Sequence, residues 1–335
     1  MKTLRLFGAH DLRLLDEPVP TPAADEVLLK VASVGICGSD SHWFSEGNIG
    51  GVPLTQPLVL GHEFTAVIAS GDQRGKRVAV DPAIPCGKCE FCEEGNPNLC
   101  PSVRFAGTGT VDGALAEYIA WPARNLFPLP DTVSNADGAL LEPLGVAIHA
   151  LSLAPVRPGM TVGVYGCGPI GLLIVQLARL SGATRIFASD LKEERLQAAL
   201  DTGASEVYMA DQHERDQVRS QTHNRGVDVA FEAAGADEAV ETAMVTAKPG
   251  GRVVIVGIPS EDHTTFTASV ARKKGLTIMM CRRMKHTYPR SIELVASGRV
   301  NLKSMVSHTF SFSEYQNAFL TAEKRAGLKV VLEVS

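Results

Sequence analysis

The chain reads as a two-domain α/β protein, with a β-rich domain at the two ends of the sequence and a doubly wound parallel sheet between them. Three observations predict it. Its 335 residues, 45% of them hydrophobic, can bury a sizeable core and favour two domains over one. The first 80 residues carry short strand-like runs without a helical period. After Pro158-Gly159 strand-length apolar runs alternate with amphipathic segments, the pattern of a parallel sheet.

In the first domain the Val/Ile/Leu-rich runs 27–34, 65–70 and 77–80 are separated by Gly- and Pro-containing turns, which predicts a barrel-like architecture. In the second, the runs 161–166, 185–190, 204–209, 227–232, 252–257 and 276–280 are strands. They are about six, the number in a complete dinucleotide-binding sheet. Segments 170–180, 193–200 and 238–247 are the helices between them, and a helix over 288–297 closes the sheet. Segments 305–312, 314–325 and 328–334 have no place in that sheet and return to the first domain. The predicted division is 1–145 with 301–335, and 146–300.

Composition excludes several classes of function. The net charge is −5, from 32 basic and 37 acidic residues spread along the chain, so no positive field gathers nucleic acid or anionic lipid. Lys2 and Arg5 are followed too soon by His10, Asp11, Arg13 and Asp16 for a signal-peptide core. The most apolar stretch, 139–156, is interrupted by Glu142, Pro143 and His149, short of the roughly 20 clean residues of a membrane span. The expected location is the cytoplasm. Neither a fixed-period repeat nor a low-complexity tract is present.

Four of the seven cysteines, Cys86, Cys89, Cys92 and Cys100, fall within fifteen residues. In a reducing compartment such crowding suggests metal, and short loops of this kind wrap tetrahedrally around Zn²⁺. Four thiolates close the coordination sphere, so this ion is structural. The alternatives are two disulfides or four unrelated buried thiols; a nucleic-acid-binding ribbon is disfavoured by Glu90, Glu93 and Glu94.

Gly166-Cys167-Gly168-Pro169-Ile170-Gly171 follows a predicted strand and opens a predicted helix. Glycines there permit a tight turn and close approach of a pyrophosphate to helical N–H groups. Asp190, about 20 residues beyond the last glycine, stands where an acidic side chain accepts from the adenosine ribose hydroxyls. That favours NAD over NADP, although Lys192 and Arg195 would partly offset the repulsion of a 2′-phosphate.

Cys37 in GICGSD, His62-Glu63 in GHE and Glu142 in LEP carry the ligand types of an open zinc site. Each alone has an ordinary reading, as a buried thiol, a hydrogen-bonded imidazole and a helix-capping acid. Together with the thiolate cluster, residues 34–40 (VGICGSD), 59–63 (VLGHE) and 141–150 (LEPLGVAIHA) resemble the zinc-containing medium-chain dehydrogenase/reductase family, closest to its polyol (sorbitol-like) branch. The resemblance runs over essentially the whole chain.

What the resemblance implies is specific. The first domain would be GroES-like and the second a Rossmann domain. Cys37, His62 and Glu63 would hold a catalytic zinc, with Glu142 bonding it directly or through a water. The zinc would act as a Lewis acid on a secondary hydroxyl of a polyol, and NAD would accept the hydride to leave a ketose. Ser39 and His42 would pass the alcohol proton outward, although Ser39 also suits a helix cap and His42 an ordinary helix position. Trp43, Phe105, Thr108 and Arg282 would line the substrate pocket, with a surface turn as the alternative for Arg282 and its neighbours Arg283 and Lys285. Cofactor-binding residues would be Gly166, Gly168, Pro169, Ile170, Gly171, Asp190 and Arg195. A homodimer or homotetramer is expected. The competing readings are an L-threonine or 2,3-butanediol dehydrogenase of the same family, and a catalytically silent binding protein on the same fold.

Overall fold

The structure is a computed structural model describing residues 1–334. The chain divides into two compact units, Met1–Glu142 with Lys285–Ser335, and Pro143–Met284.

The first unit is built on a seven-stranded sheet whose long strand Glu26–Gly35 pairs antiparallel with Glu63–Ile68 on one side. On its other side the first half pairs with Tyr118–Pro122 and the second half with Lys329–Glu333. Val306–Ser311 lies parallel beyond Lys329–Glu333, so the C-terminal strands complete the N-terminal sheet as the sequence predicts. Leu29, Val31 and Val34 of the long strand are fully buried, with Phe64, Leu60 and Leu115 in the same core.

The second unit carries six parallel strands in the spatial order Glu206–Met209, Arg185–Asp190, Thr161–Tyr165, Val227–Glu232, Ala247–Ile255, Thr277–Met280. Its central strand Val227–Glu232 is buried at every position, as parallel strands covered on both faces require. The order reverses between Thr161–Tyr165 and Val227–Glu232, the doubly wound arrangement. Among the described residues, no helix is long and apolar enough to cross a membrane.

One segment departs from the sequence reading. The helix Tyr288–Ala296, expected to close the parallel sheet, belongs to the first unit, and the chain crosses between Met284 and Lys285 rather than near 300. Tyr288 holds it there: its buried hydroxyl donates to the Val80 carbonyl at 2.6 Å and its ring stacks on Phe127 at 4.8 Å. Amphipathic spacing marks which face of a helix is buried, not against which partner. Tyr288→Phe leaves the Val80 carbonyl without this donor and is expected to cost about 1–3 kcal/mol, a fall of roughly 2–10 °C in Tm by calorimetry. An unchanged Tm would show that the hydroxyl does not anchor the helix.

Candidate metal centres and nucleotide site

Sheet register assembles the first centre. Antiparallel pairing sets Glu63 opposite Gly35, so the end of one strand and the start of the next meet. Cys37 follows Gly35 at the start of the helix Gly38–Glu46, and His62 precedes Glu63. The Cys37 sulfur, one His62 ring nitrogen and one Glu63 carboxylate oxygen lie within 4.8 Å of one another. His62 and Glu63 are buried, at 5% and 1% exposure. Gly35 has no room for a side chain, because a Cβ would strike the Glu63 carboxylate.

Two residues outside the predicted set orient this trio. Asp40, itself 1% exposed, accepts from the Cys37 N–H at 3.0 Å and the Gly61 N–H at 3.2 Å, and stands 3.6 Å from His62 Nδ1. It therefore ties both ligand-bearing segments together and faces one nitrogen of the ring. Lys329, 3% exposed, donates to both Glu63 oxygens at 2.8 and 2.7 Å and to the Ile36 carbonyl at 3.2 Å. Burial opposes charge on each of these groups. The Asp40 carboxyl is nevertheless held below its usual range, chiefly by His62, and Lys329 above its own, chiefly by Glu63.

Glu142 sits in the first turn of the helix Leu141–Leu153, 5% exposed, outside the three-ligand group. Burial pushes its carboxyl up to about 7, His62 draws it down, and Glu63 raises it. It thus shares the electrostatics of the centre without joining it at ligand distance.

The donor set suits zinc: a thiolate, an imidazole and a carboxylate, with a coordination position left for a fourth ligand. His62 Nδ1 is buried without a hydrogen bond, facing Asp40, the carboxylate–histidine pairing that orients metal-binding rings.

Cys86, Cys89, Cys92 and Cys100 form the second cluster, their sulfurs within 4.8 Å of one another, and all four thiols are free. The one-turn helix Glu90–Glu93 carries Cys92, and Cys100 accepts from the Cys86 N–H at 3.4 Å. A Lys88 N–H lowers the Cys86 thiol to about 6. Cys89 is pushed up to about 12: the Cys92 N–H favours its thiolate, but burial and the three neighbouring thiols outweigh that. Four adjacent thiolates require a compensating cation, and this set of four sulfurs fits zinc.

In the second unit the turn after Thr161–Tyr165 leads into the helix Pro169–Leu180, with Gly168 at the N-cap and proline at the first helical position. A Cβ on Gly171 would collide with the Gly166 carbonyl, so the turn closes only with glycine. Asp190 ends the strand Arg185–Asp190, 8% exposed; it accepts from the Cys167 N–H at 2.8 Å and the Lys192 N–H at 3.0 Å. Arg195 reaches within 4.0 Å of Asp190. A glycine turn at a helix N-terminus with a fixed carboxylate on the adjacent strand is a fit for a dinucleotide.

Ser39 and His42 lie three residues apart on the helix Gly38–Glu46, on one face, and His42 Nδ1 is 2.8 Å from Glu46. Ser39 does not cap that helix, since Cys37 holds the N-cap position. The Phe105 ring lies 5.3 Å from the His62 ring. The Thr108 hydroxyl donates to the Phe105 carbonyl at 3.0 Å. Trp43 is 2% exposed within the core of the first unit. Arg282 is exposed, two residues beyond the strand Thr277–Met280 of the second unit.

Fold and centres together define a two-domain zinc-binding dehydrogenase. Residues 23–131 match the family model of the alcohol dehydrogenase GroES-like domain, and residues 169–297 that of the zinc-binding dehydrogenase. The chain is 39% identical to the sorbitol dehydrogenase of Bacillus subtilis over 95% of its length and 92% of that protein. It is 37% identical to a probable D-xylulose reductase A of Arthroderma otae, over 98% of this chain and 95% of that one. Among solved structures, a short chain alcohol dehydrogenase from E. coli CFT073 complexed with cofactor NADH superposes with a TM-score of 0.91 at 30% identity, covering 100% and 99% of the two chains. The chain belongs to the zinc-containing medium-chain dehydrogenase/reductase family, in its polyol dehydrogenase branch. It is an alcohol/polyol dehydrogenase that uses zinc and a nicotinamide cofactor.

Proposed function

We propose that the protein oxidises a secondary hydroxyl of a polyol or sugar alcohol to a ketose, with NAD as hydride acceptor and two zinc ions per chain. The observation that carries this reading is the buried convergence of Cys37, His62 and Glu63. When bound, zinc supplies Lewis-acid polarisation of the hydroxyl oxygen and the nicotinamide ring accepts hydride.

The chain's own residues do the rest. Cys37, His62 and Glu63 hold the catalytic ion, Asp40 and Lys329 orient them, and Glu142, whose charge is coupled to His62 and Glu63, serves the ion directly or through a water. Ser39 and His42, aligned on one helical face, carry the proton outward, with His42 Nδ1 within hydrogen-bond reach of Glu46. Phe105, whose ring neighbours that of His62, lines the substrate side with Thr108, which donates to the Phe105 carbonyl, and with Trp43. Arg282, with its several N–H donors, is assigned the preference for adjacent hydroxyls. The four-cysteine loop holds the structural ion.

Gly166, Gly168, Pro169, Ile170 and Gly171 cradle the pyrophosphate, and Asp190 selects NAD by repelling a 2′-phosphate, with Arg195 bracing it. Free thiols in such number suit a reducing cytoplasm. The edge strand Thr277–Met280, with Met280 64% exposed, is a surface for pairing in a homodimer or homotetramer.

Initial rates on C4 to C6 polyols, L-threonine and 2,3-butanediol with NAD and NADP test the reading. The expected result is highest kcat/KM on a polyol with NAD. Preference for threonine or butanediol moves the protein to another specificity, and no reduction of either dinucleotide by any alcohol contradicts the proposal.

A further inference from the structure

A dinucleotide on a doubly wound sheet lies across the carboxyl ends of the strands at the switch point. The glycine turn and Asp190 occupy one half of that edge. On the other half, beyond the strands Val227–Glu232 and Ala247–Ile255, one side chain stands out. Glu232 is 0% exposed and turns its carboxylate toward backbone. One oxygen accepts the N–H groups of Ala234 at 2.7 Å and Gly235 at 2.6 Å; the other accepts that of Gly257 at 3.2 Å. Gly257 lies in the loop after the neighbouring strand, so a single carboxylate ties the loops of two adjacent strands.

These loops touch each other and the glycine turn. A Cβ on Gly257 would strike the backbone of Gly235, one on Gly235 the Ile258 carbonyl, and one on Gly166 would meet the Ala234 nitrogen at 2.7 Å. Three backbones are thus in contact along the cofactor edge. The Glu232 carboxylate accepts from N–H groups on both oxygens; an amide there would turn its NH2 group toward at least one N–H donor. A buried carboxylate is costly unless it is hydrogen-bonded, and here those bonds all go to the loops.

We propose that Glu232 is a positioning residue for the nicotinamide half of the cofactor, fixing residues 233–236 and 257–258 against the Gly166 turn so that this half meets a preformed wall. The inference rests on the dinucleotide reading of the Gly166–Gly171 turn.

Calorimetric titration of the wild type and Glu232→Gln with NADH and with ADP, which lacks the nicotinamide half, tests it. The variant is expected to lose about tenfold or more in NADH affinity and less than about twofold in ADP affinity. Equal NADH affinities, or equal losses for the two ligands, overturn the positioning role. A wild type that binds neither overturns the dinucleotide reading instead. Hydrogen exchange on the wild type needs no variant to fold: the Ala234, Gly235 and Gly257 amides, outside any strand, are expected to exchange as slowly as those of Val227–Glu232. Exchange at the rate of an exposed loop overturns the inference.

Discussion

Lys329→Met is expected to destabilise the metal-free protein by about 3–5 kcal/mol, since it leaves the buried Glu63 carboxylate without its ammonium partner. Lys329 is bonded to both oxygens of Glu63, and Glu142 adds a second acid to the same buried neighbourhood. The sign of a second effect follows. A divalent cation on Glu63 replaces the lost positive charge, so the loss is expected to be smaller in the zinc-loaded protein. Denaturant unfolding of both forms measures it. A metal-free midpoint equal to that of the wild type would show that Glu63 does not depend on Lys329.

Cys37→Ala removes one of three ligands from an open site and is expected to lower kcat/KM by at least roughly a thousandfold. The four-cysteine loop shares no residue with this centre, so the variant is expected to retain its structural ion and its fold. Metal analysis and circular dichroism separate this outcome from global unfolding. A folded variant with activity within about threefold of the wild type would exclude Cys37 as a ligand.

Features written into short stretches of sequence were legible. The four-cysteine loop, the glycine turn and Asp190 depend on local spacing; the four sulfurs lie within 4.8 Å of one another and Asp190 accepts from the Cys167 N–H of the turn. Six parallel strands follow from the alternation of apolar runs with amphipathic helices. Long-range partners were not legible. Lys329 lies in the predicted strand 328–334 with nothing local to name its partner, and only pairing of that strand beside Glu26–Gly35 brings it to Glu63. Asp40 reads as a first-turn helix acid, yet its carboxylate reaches Gly61 and His62 in another segment. A signal was available in both cases: an acid three residues beyond a candidate ligand, and a lysine followed by an unbroken apolar run.

The same limit explains the helix Tyr288–Ala296, whose amphipathic face was evident while its partner strand Arg77–Val80 lies far back in the chain. Glu232 escaped for a different reason. At the end of a wholly buried strand it reads as the polar residue that terminates the run, and its role emerges only when the loops it binds are seen together.

In the proposed reaction a divalent cation held by Cys37, His62 and Glu63 activates the substrate hydroxyl. Anomalous diffraction at the zinc absorption edge, from crystals of protein purified without chelator, tests it most directly. Two peaks are expected, one within bonding distance of Cys37, His62 and Glu63 and one enclosed by Cys86, Cys89, Cys92 and Cys100. A single peak in the four-cysteine loop, in protein that still oxidises a polyol at full rate, would contradict it.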